Sequence, residues 1–263
     1  MSATTKKAIA VIAGIGNGTG TRMNLSRVQS LCGYRVALIA RNPGHLRTLA
    51  NEINVADGEA ESFPIKNYGA ADIQSAFSSI SSRFPSSEIR VAIYNAGEGT
   101  FKKFFDVTDE DIERSTTTGI VGPFAFSRAV ITAFKNNELS DPLKHPNEGA
   151  RKRGTLIFTG ATAALRGNTF TSLFSVTKFA LRSLSQSLSK EFGPENIHVA
   201  HSIIDGGVLT DRTRTMRNDP QWETSGDVRL HPDSIAKAYK YLVEQDSSAF
   251  TWELDVRPAH EKW

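Results

Sequence analysis

Short apolar runs rich in β-branched residues alternate with longer amphipathic segments along the whole chain. The runs 8–13, 35–40, 61–65, 90–94, 155–159, 198–204 and 251–256 predict strands. Segments 21–32, 44–54, 70–83, 109–134, 169–192 and 232–245 fill the gaps and predict helices. The first two strands are apolar almost throughout, as strands buried on both faces are. Strict strand–helix alternation predicts a parallel sheet with helices on both sides, and right-handed crossovers make it doubly wound. The expectation is an α/β chain, one Rossmann-type domain over 1–263 with a sheet of about seven strands.

Two segments break the rhythm. Residues 136–153 are polar and carry Pro142, Pro146 and Gly149, which predicts a surface insertion. The basic run Arg151-Lys152-Arg153 inside it reads as solvated loop. Residues 208–230 are rich in Arg, Thr and Asp, carry Trp222, and form a candidate substrate lid. No internal repeat and no linker divides the chain.

Composition narrows the class of function. Of 263 residues, 39% are hydrophobic and 22% charged, with net charge +3, which fits a globular chain without the basic stripe of a nucleic-acid binder. No run reaches membrane-span length, and the first apolar run is too short for a signal sequence. The expectation is a cytoplasmic protein acting on a small molecule, with no nucleic-acid or membrane partner. Cys32 is the single cysteine, so no internal disulfide or thiolate cage can form. His198 and His201 stand three apart on a strand, hence on opposite faces, and no metal site is expected.

Chemistry enters after the first strand, where Gly14-Ile15-Gly16-Asn17-Gly18-Thr19-Gly20 leads into a helix. Glycines let the backbone approach a pyrophosphate, and the helix N-terminus offers N–H donors and a positive dipole end. Gly14, Asn17, Gly18, Thr19 and Gly20 are therefore candidate cofactor contacts. The second strand ends Ala40-Arg41-Asn42. An acidic residue there would suit the ribose 2′-hydroxyl of NAD(H), whereas an arginine suits a 2′-phosphate. Arg41, with Asn42 beside it, points to NADP(H).

At this point the chain resembles the short-chain dehydrogenase/reductase superfamily over nearly its full length. Gly14, Gly18 and Gly20 match that family's Gly-x-x-x-Gly-x-Gly loop. Tyr94-Asn95-Ala96-Gly97 matches its Asn-Asn-Ala-Gly strand end, with Tyr94 replacing the first Asn. Phe174-Ser175-Val176-Thr177-Lys178 stands in place of Tyr-x-x-x-Lys. Residues 206–210 match the turn whose backbone meets the nicotinamide carboxamide, with Asp205 where proline is usual. The resemblance implies that Asn95, Ala96, Gly97, Lys178, Val208 and Thr210 also line the cofactor site.

The departures bear on function. In that family a tyrosine moves the proton, a lysine lowers its pKa and binds ribose, a serine positions the substrate oxygen and an asparagine supports a relay. Here those places hold Phe174, Lys178, Ala161 and Gly119; Lys178 alone is kept. Phenylalanine has no ionisable group, so Phe174 can be neither acid nor base. Asp205 and Thr162 are the remaining polar candidates, and with Lys178 they make up the candidate catalytic set.

Reducing a ketone creates an alkoxide that needs a proton and stabilising donors. An iminium is already cationic, and its product amine needs neither. The residue set therefore reads as an NADPH-dependent reductase suited to C=N⁺ reduction. By chemical analogy it is similar to the fungal reductase/Diels–Alderase branch of indole-alkaloid secondary metabolism, in which a pericyclic step follows hydride delivery. The alternatives are a carbonyl reductase using a recruited acid such as Asp205, and a cofactor-binding pseudoenzyme. Surplus apolar residues on helices 109–134 and 169–192, including Phe124, Phe126, Phe134, Phe170, Phe174 and Phe179, predict a homodimer or homotetramer.

Overall fold

The apolar strands form the centre of the molecule. In the computed structural model, which describes residues 7–15 and 33–261, strand β1 (Ile9–Ala13) is buried at every position and β2 (Arg35–Ala40) at all but its first. The remaining strands are β3 (Glu59–Pro64), β4 (Ile89–Tyr94), β5 (Gly154–Thr159), β6 (Ile197–Ile204) and β7 (Glu253–Val256). All pair in parallel in the order β3-β2-β1-β4-β5-β6-β7. Asn17, Gly18, Thr19, Gly20 and the helix expected over 21–32, with Cys32, lie outside the described residues.

Strand alternation sends successive side chains to opposite layers. Ile9, Val11 and Ala13 pack with Ile73, Phe126 and Leu181. Those three belong to helices α2 (Ala70–Arg83), α4 (Gly122–Lys135) and α5 (Ser172–Phe192). Ala10 and Ile12 pack on the other side with Leu46 and Leu49 of α1 (Pro43–Val55) and with Ile235 and Tyr239 of α8 (Pro232–Glu244). Helix α3 (Asp109–Thr116) precedes α4, and two short helices, α6 (Asp211–Arg217) and α7 (Pro220–Thr224), lie between β6 and α8. Among the described residues no helix is long and apolar enough to cross a membrane.

The helix expected over 109–134 is interrupted. Residues Thr117–Val121 form a π turn, in which the Gly122 N–H reaches back to the Thr117 carbonyl. Pro123 follows and has no N–H to give, so the regular ladder cannot resume until the next turn. The Thr118 carbonyl accepts instead from the buried Tyr94 hydroxyl at 2.6 Å. That contact explains the tyrosine at the end of β4.

Many residues of 136–153 are exposed, but the reading of its basic run as solvated loop is corrected at Lys152. Asn137, Ser140, Glu148 and Lys152 are all buried. Lys152 is 1% exposed, and its ammonium donates to the carbonyls of Val243 and Gln245 at the end of α8. Arg90 donates to the carbonyls of Glu138 at 2.8 Å and Lys152 at 3.2 Å. The polarity of this segment serves internal hydrogen bonds, which buried polar groups require. In the lid candidate 208–230, Val208 bridges to Leu230 and Trp222 is buried beneath Arg217.

Candidate active site

Three strand ends are locked together where β1 separates β2 from β4. The Gly14 N–H donates to Ile39 O at 2.9 Å, and the Asn95 N–H to Ala13 O at 2.8 Å. The Asn95 amide then donates to Gly14 O at 2.8 Å. Gly14 has φ +94°, and a Cβ there would lie 2.1 Å from the Ala96 nitrogen, so only glycine fits. Strand order reverses at β1, and in open parallel sheets ligands lie in the crevice at such a point.

Lys178 is carried to this crevice by α5. Its ammonium donates to Thr159 O at 2.8 Å, and a Cβ on Gly97 would lie 3.5 Å from Nζ. The Phe174 ring centroid is 5.8 Å from the same nitrogen. Phe101 meets the Phe174 ring at 5.2 Å between centroids. Nearby, the Lys102 N–H donates to Phe170 O at 3.0 Å. Phe170 has φ 67°, a region that favours glycine, so the rim of the site holds a strained residue. On the π turn, a Cβ on Gly119 would sit 2.5 Å from the Thr177 Cβ, so α5 packs too close to the turn for a side chain there.

Thr162 donates its hydroxyl to Asp205 Oδ1. Asp205 is 1% exposed, and its other oxygen lies 3.1 Å from the Arg257 guanidinium. Its own N–H donates to Val256 O at 2.9 Å, which ties the β6 end to the segment after β7. Oδ1 is hydrogen-bonded, whereas Oδ2 has the ion pair but no hydrogen bond.

At the other side of the crevice Arg41 forms an ion pair with Glu98, NH1 to Oε1 at 2.6 Å, and its guanidinium lies 5.8 Å from the Tyr68 ring. Asn42 accepts from the His45 N–H at 3.0 Å and caps α1, so its side chain has a helix to hold. Thr210 likewise caps α6 in a reciprocal box with Thr213. Gly14, Asn95, Ala96, Gly97, Lys178 and Arg41 therefore gather at the strand ends, and half-buried Thr162 pairs with buried Asp205 after β5 and β6. Glu98, Phe101 and Arg257 were not singled out from sequence. Glu98 directly follows Asn95-Ala96-Gly97, a position that could have been questioned. Nothing in the sequence links Arg257 to Asp205.

The donor set fits a dinucleotide. Glycines keep the crevice open beside β1 and β4, one lysine faces it at Gly97, and an arginine stands at its edge. Such a crevice in a doubly wound parallel sheet defines a dinucleotide-type α/β oxidoreductase fold. The short chain dehydrogenase profile matches residues 8–221, and the chain belongs to that family. It is 24% identical to L-xylulose reductase of Caenorhabditis elegans over 247 residues, covering 92% of this chain and 90% of that protein. The NADPH-dependent 1-acyldihydroxyacetone phosphate reductase of Saccharomyces cerevisiae is 25% identical over 205 residues, 78% of this chain and 62% of that one. Among solved structures, a metagenomic short-chain oxidoreductase in complex with NADP superposes with a TM-score of 0.74 at 22% identity, covering 98% of this chain and all of that one (100%).

Proposed function

We propose that this chain is an NADP(H)-dependent reductase that works without a tyrosyl acid and takes a C=N⁺ substrate. The observation that carries the reading is Phe174, whose ring lies 5.8 Å from the Lys178 ammonium where an ionisable hydroxyl would be needed for ketone reduction. A reduced nicotinamide supplies hydride to an electrophilic carbon. When that carbon belongs to an iminium, its π pair returns to nitrogen and a neutral amine leaves, so no proton is required. Lys178 would hold the nicotinamide ribose, Gly14 and Gly97 would leave room for the backbone of the cofactor, and Arg41 would meet the 2′-phosphate. Phe101 and Phe174 would wall the substrate with aromatic faces, which also suits a conjugated system held for a pericyclic step.

The carbonyl-reductase alternative needs a recruited acid. Asp205 is a poor candidate, because Thr162 and Arg257 engage its two oxygens and it is buried. A pseudoenzyme would keep the same crevice without turnover. One experiment separates the three: follow NADPH oxidation with a ketone panel and a cyclic-iminium panel, for the wild type and Asp205→Asn. Iminium-only turnover that survives Asp205→Asn is the expected result. Ketone turnover abolished by Asp205→Asn would install the carbonyl reductase, and none on either panel the pseudoenzyme.

Assembly is proposed through α3, α4 and α5. Ile112 is 46%, Val121 41% and Phe124 47% exposed, and on α5 Val176 is 59% and Phe179 42% exposed. Phe126 and Phe134 are buried in the core instead, but the apolar side chains left open on α3, the π turn, α4 and α5 suit a two-fold contact with a second copy.

A further inference from the structure

Strands β2 and β4 flank β1 in the sheet. Arg41 leaves the end of β2 and Glu98 follows the end of β4, so their 2.6 Å ion pair spans the crevice above β1. The carboxylate is the inner partner, with 16% of its side chain exposed against 46% for Arg41. Its second oxygen lies 3.7 Å from Nε of Arg114 on α3, and Arg114 holds the buried Asp111 at 2.9 Å. Glu98 therefore sits between two cations, Arg41 after β2 and Arg114 on α3, and can leave the first without losing a partner.

We propose that Glu98 is an internal competitor for Arg41. It occupies the guanidinium until a 2′-phosphate takes it, and thereby sets how strongly the site prefers NADP(H) over NAD(H). The proposal rests on the reading of Arg41 as the 2′-phosphate residue. A phosphate dianion and a carboxylate on one guanidinium repel each other, so Glu98 must turn toward Arg114 for the phosphate to bind. A 2′-hydroxyl carries no charge, leaves the ion pair in place and can donate to the carboxylate. Glu98 thus weakens NADP(H) binding selectively and keeps the preference modest.

The test is calorimetric titration of 2′,5′-ADP, 5′-ADP, NADPH and NADH into wild type, Glu98→Gln, Glu98→Asp and Arg41→Ala. Glu98→Gln should tighten 2′,5′-ADP and NADPH about three- to tenfold while 5′-ADP and NADH stay within about twofold. Glu98→Asp, which keeps the charge but shortens its reach, should shift the same two ligands in the same direction by less. A Glu98→Gln protein whose NADPH-to-NADH ratio equals that of wild type, or falls below it, overturns the proposal. Arg41→Ala reports separately: if it leaves 2′,5′-ADP affinity unchanged, the cofactor reading itself has failed.

Discussion

Two buried lysines stand at opposite ends of the sheet, and their partners differ. Lys152, at 1% exposure, gives its protons to the last carbonyls of α8. Lys178, at 8%, binds one carbonyl at 2.8 Å and faces the space kept clear by Gly97. Burial pushes the Lys152 ammonium down to about 8 from 10.5, although Glu148 and Glu244 pull the other way. Neither burial nor charge separates a structural lysine from one at a ligand site; what the ammonium faces does.

The comparison breaks or holds on paired substitutions. Lys152→Ala removes the cation that caps α8 and orphans two helix-end carbonyls. A loss of about 3–4 kcal/mol is expected in urea melts, with cofactor affinity per folded molecule unchanged. Lys178→Ala should do the reverse, costing about 1 kcal/mol or less of stability while weakening NADPH binding about ten- to a hundredfold. If Lys178→Ala unfolds the chain as readily as Lys152→Ala, the two lysines do the same job and the distinction is lost.

Much of this architecture was legible in the sequence, and the reasons are physical. Near-continuous apolar runs marked the sheet, because a strand covered on both sides tolerates little polarity. Phe174 was singled out only through the family resemblance, and the helix brings its ring within 5.8 Å of the Lys178 ammonium. Lys152 could not be placed, because a polar run looks the same whether water or backbone carbonyls satisfy it. The π turn at Thr117–Val121 was also hidden: Pro123 predicts a disturbance, but only the packed Tyr94 hydroxyl shows where the freed carbonyl goes. Glu98 escaped for the same reason, as its meaning depends on a strand order that brings it opposite Arg41.

Between the two ends, β6 carries buried histidines that acid should reach first. Burial pushes His201 down to about 4 from 6.5, with Glu253 at 3.0 Å acting in the opposite direction. His198, stacked on Phe250, is pushed down to about 4 from 6.5 for the same reason. The unfolded chain then binds these protons before the folded one does. Their contribution is fully present above pH 6.5 and is lost as pH falls towards 4, by an order-of-magnitude 3 kcal/mol for each histidine. Urea midpoints measured across that window should fall steeply for wild type, and His201→Gln should remove roughly half of the slope. An unaltered slope would mean that other groups govern acid unfolding.

The smallest expected effect is the most informative about chemistry. Phe174→Tyr adds a hydroxyl four residues before Lys178, and the ring it replaces is half-buried against Phe101. Ala161 and Gly119 carry no polar side chain to pair with an added hydroxyl, so a cost of up to about 1–3 kcal/mol is expected. A C=N⁺ substrate gains nothing from a phenol, because its product carries no alkoxide to protonate. Iminium turnover should therefore stay within about twofold of wild type, while any ketone activity should rise only from near zero. Single-turnover rates on both substrate classes decide the matter. If Phe174→Tyr raises ketone reduction about a hundredfold, within the usual yield of a positioned acid, the rest of the site is already arranged for an alcohol product. The missing hydroxyl would then be the departure that matters, Ala161 and Gly119 being tolerated, and the C=N⁺ reading would fall.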